Sequence, residues 1–149
     1  MLETAIDIFN DGEQMMRLQR TGVILNTEHH DACVAFYRDV LALSVMFEKQ
    51  DGDFRLTCLD FGGAYLMVET GGVARPEGKG VAENATKLRF NVADLEETLG
   101  TLRSRGIEAS IERHDWGATI NIFDPDGNRV GLREEDEFRR QAGAGHSRR

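Results

Sequence analysis

The sequence of 149 residues is poor in cysteine, proline and positive charge, and it contains no long apolar run. Nowhere do the roughly 18 consecutive apolar residues of a membrane-spanning helix occur. The acidic N-terminal stretch MLETAIDIFNDGEQMMRL also lacks the basic start and apolar centre of a signal peptide. These absences predict a soluble, cytoplasmic protein.

Positive charge is outnumbered, since 26 acidic and 18 basic side chains give a formal net charge of -8. Such a chain repels nucleic-acid phosphates and anionic membrane surfaces, so neither is an expected partner. A small molecule or a second subunit remains as the expected partner. The two cysteines, Cys33 and Cys58, form no Cys-x-x-Cys motif, and we expect both to be reduced packing residues.

The rest of the sequence shows the same order of predicted strands and helix twice. Residues 1–16 are an extension, either a short added helix or a frayed end. Val23, Ile24 and Leu25 predict a strand, and Thr27 is the expected N-cap of a helix over residues 29–43. Three strands follow over residues 43–49, 54–61 and 64–70, and the glycine-rich residues 72–85 predict a linker.

The second half repeats this order. A strand over residues 87–92 precedes a helix that Asp94 caps and Gly106 ends, and strands follow over 107–113, 117–123 and 128–134. The chain therefore predicts an α+β fold of two tandem βαβββ modules, residues 17–71 and 86–133, that form one domain, with a flexible tail over 134–149. A single ferredoxin-like sandwich is the alternative, but it has fewer strands after its first helix.

Two motifs carry a resemblance to a known family. They are the helical residues Ala35-Phe36-Tyr37-Arg38-Asp39-Val40-Leu41, followed by Leu43, and the turn Phe123-Asp124-Pro125-Asp126-Gly127-Asn128. The first motif lies in the helix of the first module and the second in the last turn of the second module, so each of the matching repeats carries one. Together they resemble the vicinal-oxygen-chelate superfamily of glyoxalases, bleomycin resistance proteins and extradiol dioxygenases. The resemblance covers residues 20–133. It implies a curved, cup-shaped mixed sheet with helices outside, a ligand or metal inside, and pairing into homodimers.

Strand parity assigns the inner face of the predicted cup. Successive side chains of a strand point to opposite faces, so the apolar sets of each strand select the core and their neighbours face the cup. The predicted ligand-binding residues are Ile24, Tyr65, Met67, Glu69, Lys87, Arg89, Asn91 and Arg133. Trp116, just before the seventh strand, either stacks over a flat ligand or is a packing residue.

The resemblance also implies where metal ligands would stand. The four equivalent positions hold Gly22, Met67, Lys87 and Gly131. None of these can hold a divalent metal as a histidine or carboxylate would. The histidines do not replace them, because His29 and His30 start a helix, His114 lies in a turn and His146 lies in the tail. We therefore expect no metal and no cofactor.

Three functions stay open at this point. The first is a metal-free protein that binds a small metabolite, in which Lys87, Arg89 and Arg133 attract an anion; alternatively these cations pair with Glu69 or reach solvent. The second is a lyase, isomerase or dioxygenase of the same superfamily, metal-independent or metal-dependent, with Lys87 and Glu69 as catalytic candidates. The third is a partner module in which the cup is vestigial. The sequence does not tell whether the modules pair within one chain or between two subunits.

Overall fold

Each half of the chain folds into one four-stranded mixed sheet with a helix packed on it. The computed structural model describes residues 16–147. The first module consists of β1 (Gly22–Thr27), α1 (His30–Ala35), β2 (Val45–Asp51), β3 (Phe54–Phe61) and β4 (Ala64–Thr70). The second consists of β5 (Leu88–Val92), α2 (Leu95–Ser104), β6 (Ile111–His114), β7 (Gly117–Phe123) and β8 (Arg129–Glu134), and α3 (Glu135–Ser147) follows it. The predicted α+β fold of two βαβββ modules is confirmed.

The two sheets have the same topology. Their strand orders are β1-β4-β3-β2 and β5-β8-β7-β6. In each sheet the first strand pairs in parallel with the last strand, and the other pairs are antiparallel. The single ferredoxin-like sandwich is therefore wrong. The predicted extension over residues 1–16 lies, except for Met16, outside the described residues. Within residues 16–147 no helix has the length and hydrophobicity to cross a bilayer.

Alternation along the strands divides each sheet into a core face and an opposite face, which we call the cup face. In β1, Leu25 is 8% exposed whereas Ile24 is 58% exposed. The buried side chains of both modules join in one cluster that includes Cys33, Tyr37, Leu66, Val68, Leu99, Leu102, Ile120 and Leu132. Each leucine buried in this way contributes about 1.5–3 kcal/mol. Both cysteines are buried and free, as predicted.

The second helix begins and ends where the sequence predicts. The Asp94 side chain accepts a hydrogen bond from the backbone N–H of Glu97 at 3.0 Å, which satisfies one donor of the first helical turn. Gly106 follows the last turn with a φ of +82°, a conformation that glycine adopts without strain. The cap and stop signals in the sequence were therefore sufficient to predict both ends of α2.

The first helix differs from the prediction at both ends. Thr27 is not its cap, because this residue belongs to β1 and its hydroxyl donates to the Glu69 carbonyl at 2.9 Å. The cap comes from the second module: the Asp126 carboxylate accepts from the N–H groups of Glu28 at 2.6 Å and His29 at 3.1 Å. The α-helix is also short, and it continues as one π-helical turn (Phe36–Val40) instead of reaching residue 43.

The turn between β7 and β8 joins the two modules and the linker. Asp124 accepts from the Tyr37 hydroxyl at 2.7 Å, so each carboxylate of this turn bonds to the first module. Burial raises the pKa of the Asp126 carboxyl, but the N–H groups of Glu28 and His29 outweigh that effect and hold it below its usual value. The backbone N–H of Arg75 in the linker donates to the Asp126 carbonyl at 2.9 Å.

The segment predicted to be a flexible tail is a helix. Its first turn is acidic and Arg139 pairs with Glu135 one turn earlier at 2.8 Å, which favours helix through the macrodipole and an i,i+4 ion pair. Glu135 also accepts from the Asn91 side chain at 2.9 Å, and Phe138 lies against Arg133. These contacts dock the helix on the second module.

Candidate functional site

The cup face of the first module is mainly apolar. The strand register pairs Ile24 with Met67 and Met67 with Cys58, so all three lie on this face. Glu69 lies on the same face, two residues after Met67 in β4. The strand parity argued from the sequence thus agrees with the register of this sheet.

The cup face of the second module is polar and cationic. Arg89 pairs with Gly131, which pairs with Asn121, and Asn91 pairs with Arg133 in the next row. Lys87 stands one residue before β5, and its ammonium donates to the Asn121 side chain at 2.7 Å. Lys87, Arg89, Asn91 and Arg133 therefore share one face of β5 and β8, and Asn121 of β7 adjoins them.

The four positions equivalent to metal ligands do not fit a metal. A side chain at Gly22 would collide with the ring of Tyr65, which lies across that position. At Gly131 the Lys87 and Arg89 side chains lie close to the place that an added β-carbon would occupy. Within residues 16–147, no three histidine, cysteine or carboxylate side chains lie close enough to hold an ion. In both modules a neighbouring side chain covers the glycine.

Two histidines at the start of α1 are engaged in local contacts. His29 lies beside Asp126 at 3.1 Å, and the buried His30 lies between Asp31 and Thr57 at 3.1 and 3.2 Å. His146 belongs to α3, at the other end of the described chain. The contacts of His29 and His30 are thus with side chains of their own chain.

Four basic side chains form what we call the cationic cluster: Lys87, Arg89, Arg129 and Arg133. Arg129 donates to the Asn84 carbonyl at 3.0 Å. Among residues 16–147, none of the four forms an ion pair with a carboxylate. Glu112, a carboxylate close enough to Lys87 to act on its charge, is bonded to the Asn121 amide at 2.9 Å. The positive charge of this surface is thus largely unbalanced.

The pKa values within the cluster reflect this imbalance. Burial, and then the charges of Arg89 and Arg129, lower the pKa of the Lys87 ammonium. Burial, and then the charge of Arg133, lower the pKa of Arg89. Since the charged forms of Lys87 and Arg89 are disfavoured by neighbouring cations, an anion placed among them would relieve the repulsion.

Arg133 is the most buried member of the cluster. It is only 7% exposed, and its guanidinium carbon lies 5.1 Å from the ring centroid of Trp116 and 5.7 Å from that of Phe138. The Trp116 ring also stacks on His114, with centroids 4.8 Å apart. Trp116 therefore packs against two residues of its own chain, His114 and Arg133.

Several residues of this site were missed from the sequence. Asn121 and Arg129 follow the same strand parity as the predicted set, so a complete parity count could have included them. Phe138 gave no such signal, because it falls in the segment predicted to be a flexible tail. Glu69 and Lys87, the predicted catalytic pair, lie on different sheets, and no hydrogen bond or ion pair joins them among residues 16–147.

A cavity of about 710 Å³ lies between β1 and the linker, and Asn84, whose carbonyl accepts from Arg129 of the cluster, is among its lining residues. The charged residues of its lining are two basic and two acidic side chains, Arg75, Lys79, Glu77 and Glu83. Because these charges cancel, whereas the four cations of the cluster form no ion pair within the described residues, we place the candidate site at the cationic cluster.

Comparison with known proteins gives one family and several structural neighbours. The family model described as the Glyoxalase/Bleomycin resistance protein/Dioxygenase superfamily matches residues 17–132. The uncharacterized protein YraH of Bacillus subtilis (strain 168) is 27% identical over 106 residues, which is 65% of this chain and 83% of YraH.

Two solved structures show how far the fold is shared. The trypanothione-dependent glyoxalase I of Leishmania major is 18% identical with a TM-score of 0.70, over 89% of this chain and 97% of that one. TnmS3, an antibiotic binding protein from Streptomyces sp. CB03234, is 17% identical with a TM-score of 0.62, over 80% of this chain and 98% of that one. An enzyme and a binding protein therefore share this fold.

Proposed function

Because this chain belongs to the glyoxalase/bleomycin resistance protein/dioxygenase superfamily, we propose that it binds a small anionic molecule on the cup face of its second module. The cationic cluster carries this proposal: four basic side chains share one surface of a chain whose net charge is -8, without a carboxylate to pair with in the described residues. Basic groups gathered on one face of an acidic protein steer anions to that face.

The proposed site needs no metal from the protein. Lys87 supplies a point charge, and the arginines supply planar N–H groups that suit carboxylate or phosphate oxygens. The glycine at position 131 leaves room for the Lys87 and Arg89 side chains to lie across β8. A ligand above this glycine would contact both cations.

The first test is a thermal unfolding series with succinate and inorganic phosphate, with nickel, zinc, manganese and iron salts in parallel. We expect an anion to raise the melting temperature by about 5–10 °C at a hundredfold excess over its Kd. Lys87→Ala should weaken binding at least tenfold, because a charge-assisted hydrogen bond contributes about 1.5–3 kcal/mol.

Lys49→Ala is the matched control, since Lys49 is an exposed lysine on the first module. It should leave the affinity within twofold of the unchanged protein. Stabilisation by a metal at stoichiometric content, or no response to any anion, would contradict the proposal. An equal loss in both lysine variants would show only a general charge effect.

A metal-independent reaction is a second candidate, favoured by the lowered pKa of Lys87. A lysine whose pKa is lowered gives up its proton more readily, and its neutral amine can act as a general base. Proton NMR of the anion that binds, followed over hours with the protein, separates the two functions. New resonances that Lys87→Ala removes would establish the reaction, and an unchanged spectrum would favour binding alone.

We also propose that the chain forms a homodimer. Ile24 and Phe47, 58% and 50% exposed, share the apolar cup face of the first module, and every residue of β2 is exposed. Apolar surface of this kind usually marks an interaction site. Light scattering should give twice the chain mass of 16.7 kDa. A monomer at micromolar concentration would contradict the dimer and leave anion binding untouched.

A further inference from the structure

The Arg133 guanidinium has two donors with no acceptor. Its Nε and Nη2 atoms are shielded from solvent and have no hydrogen-bond partner among the described residues. Leaving a buried donor unpaired is unfavourable, and more so for a charged group. The faces of the Trp116 and Phe138 rings stabilise the cation, but they do not accept these hydrogen bonds.

The two unpaired donors lie on the same edge of the guanidinium. Nε–H and the nearer N–H of Nη2 point in parallel, and this edge matches the two oxygens of a carboxylate. Arg133 is therefore oriented for a flat, two-oxygen acceptor.

A second cationic position lies on the same strand. Lys87 and Arg89 cross β8 at Gly131, two residues before Arg133. Two residues of a strand span about 7 Å. Four basic side chains share this face and none of them forms an ion pair within residues 16–147, so one monovalent anion would balance only part of their charge.

We propose that the ligand carries two anionic groups, one of them a carboxylate that Arg133 binds side-on and the other held by Lys87 and Arg89. This inference rests on the proposed function and specifies its ligand as a dicarboxylate or a carboxylate with a second anionic group. Phe138 lies beside the guanidinium on α3 and is 46% exposed, and the proposal requires this ring to move aside for the carboxylate to reach Arg133.

Isothermal titration with sodium malonate, succinate, glutarate and adipate, and with the monocarboxylates propionate, butyrate and valerate, tests the inference. We expect the best dicarboxylate to bind at least tenfold more tightly than any monocarboxylate. Arg133→Lys keeps the charge and removes the side-on pair of donors. It should remove that tenfold preference while monocarboxylate affinity changes less than threefold.

Arg113→Lys is the matched control, because Arg113 is 72% exposed on the opposite face of β6 and pairs only with Glu96. Phe138→Ala guards against misfolding of the buried Arg133 variant, since it uncovers Arg133 and keeps both donors. It should preserve or increase dicarboxylate affinity, and a tenfold loss would overturn the inference.

The failures of the two proposals are distinguishable. If monocarboxylates and dicarboxylates bind equally and Lys87→Ala weakens both, anion binding stands and the dianionic ligand is wrong. If the Arg133→Lys protein keeps the preference for dicarboxylates, the role of Arg133 is wrong. If no anion binds the unchanged protein, both proposals fall.

Discussion

Replacing Asp124 by alanine is expected to lower the free energy of unfolding by about 4 kcal/mol. Asp124 is 3% exposed and accepts four hydrogen bonds: from the Tyr37 hydroxyl at 2.7 Å, and from Asp126 N, Asn128 N and Asn128 Nδ2 at 2.9 Å each. Alanine would leave these donors without their acceptor in a buried place. The loss would reach both modules, because Tyr37 belongs to the first and Asn128 to the second.

Urea unfolding followed by circular dichroism measures this change. Asp53→Ala is the matched control, since Asp53 is an exposed carboxylate between β2 and β3 and should change stability by less than about 0.5 kcal/mol. If both variants unfold at the same urea concentration, the Asp124 hydrogen bonds contribute no net stability. Separate transitions for the two modules would contradict the role assigned to the turn.

Replacing Gly127 by alanine should cost about 3 kcal/mol. Gly127 has a φ of +85°, where a β-carbon is strained by about 1–2 kcal/mol. In addition, an added Cβ would lie 2.0 Å from the Arg75 carbonyl oxygen, so the linker backbone would have to move. That shift would strain the hydrogen bond from Lys79 N to the Gly127 carbonyl at 2.9 Å.

Gly62→Ala separates the two causes, because Gly62 also has a positive φ, +64°, but an added Cβ there meets nothing within 4 Å. It should cost only the backbone strain, about 1–2 kcal/mol. Thermal unfolding of both variants in the same buffer gives the difference. Equal melting temperatures would mean that the close approach of the linker to the turn contributes nothing.

The elements that sequence reasoning predicted well are those whose signals are local. The period-2 alternation in β4 and β7 was enough for their bounds, and the Asp94 cap was enough for the start of α2. Thr27 was wrong as a cap because a local rule cannot see an acceptor from a distant turn. Asp126 stands 97 residues from His29 and takes that role.

The features of the candidate site also divide into those with a local sequence signal and those without one. Parity along β5 and β8 was enough to predict that Lys87, Arg89 and Arg133 share a face. It could not show that Arg133 is buried, because that depends on Trp116 and on Phe138 in the C-terminal helix. The sequence also could not decide whether these cations pair with Glu69. The structure answers this question, because Glu69 lies on the sheet of the first module.

The cap that Asp126 places on α1 has a consequence for the newly made chain. The N–H groups of Glu28 and His29 leave the ribosome 98 and 97 residues before the carboxylate that satisfies them. At about 5–20 residues per second, the first module waits roughly 5–20 seconds for its helix cap. During that interval its nascent helix is uncapped and its apolar core face uncovered, so we expect it to bind chaperones until the last strand is made.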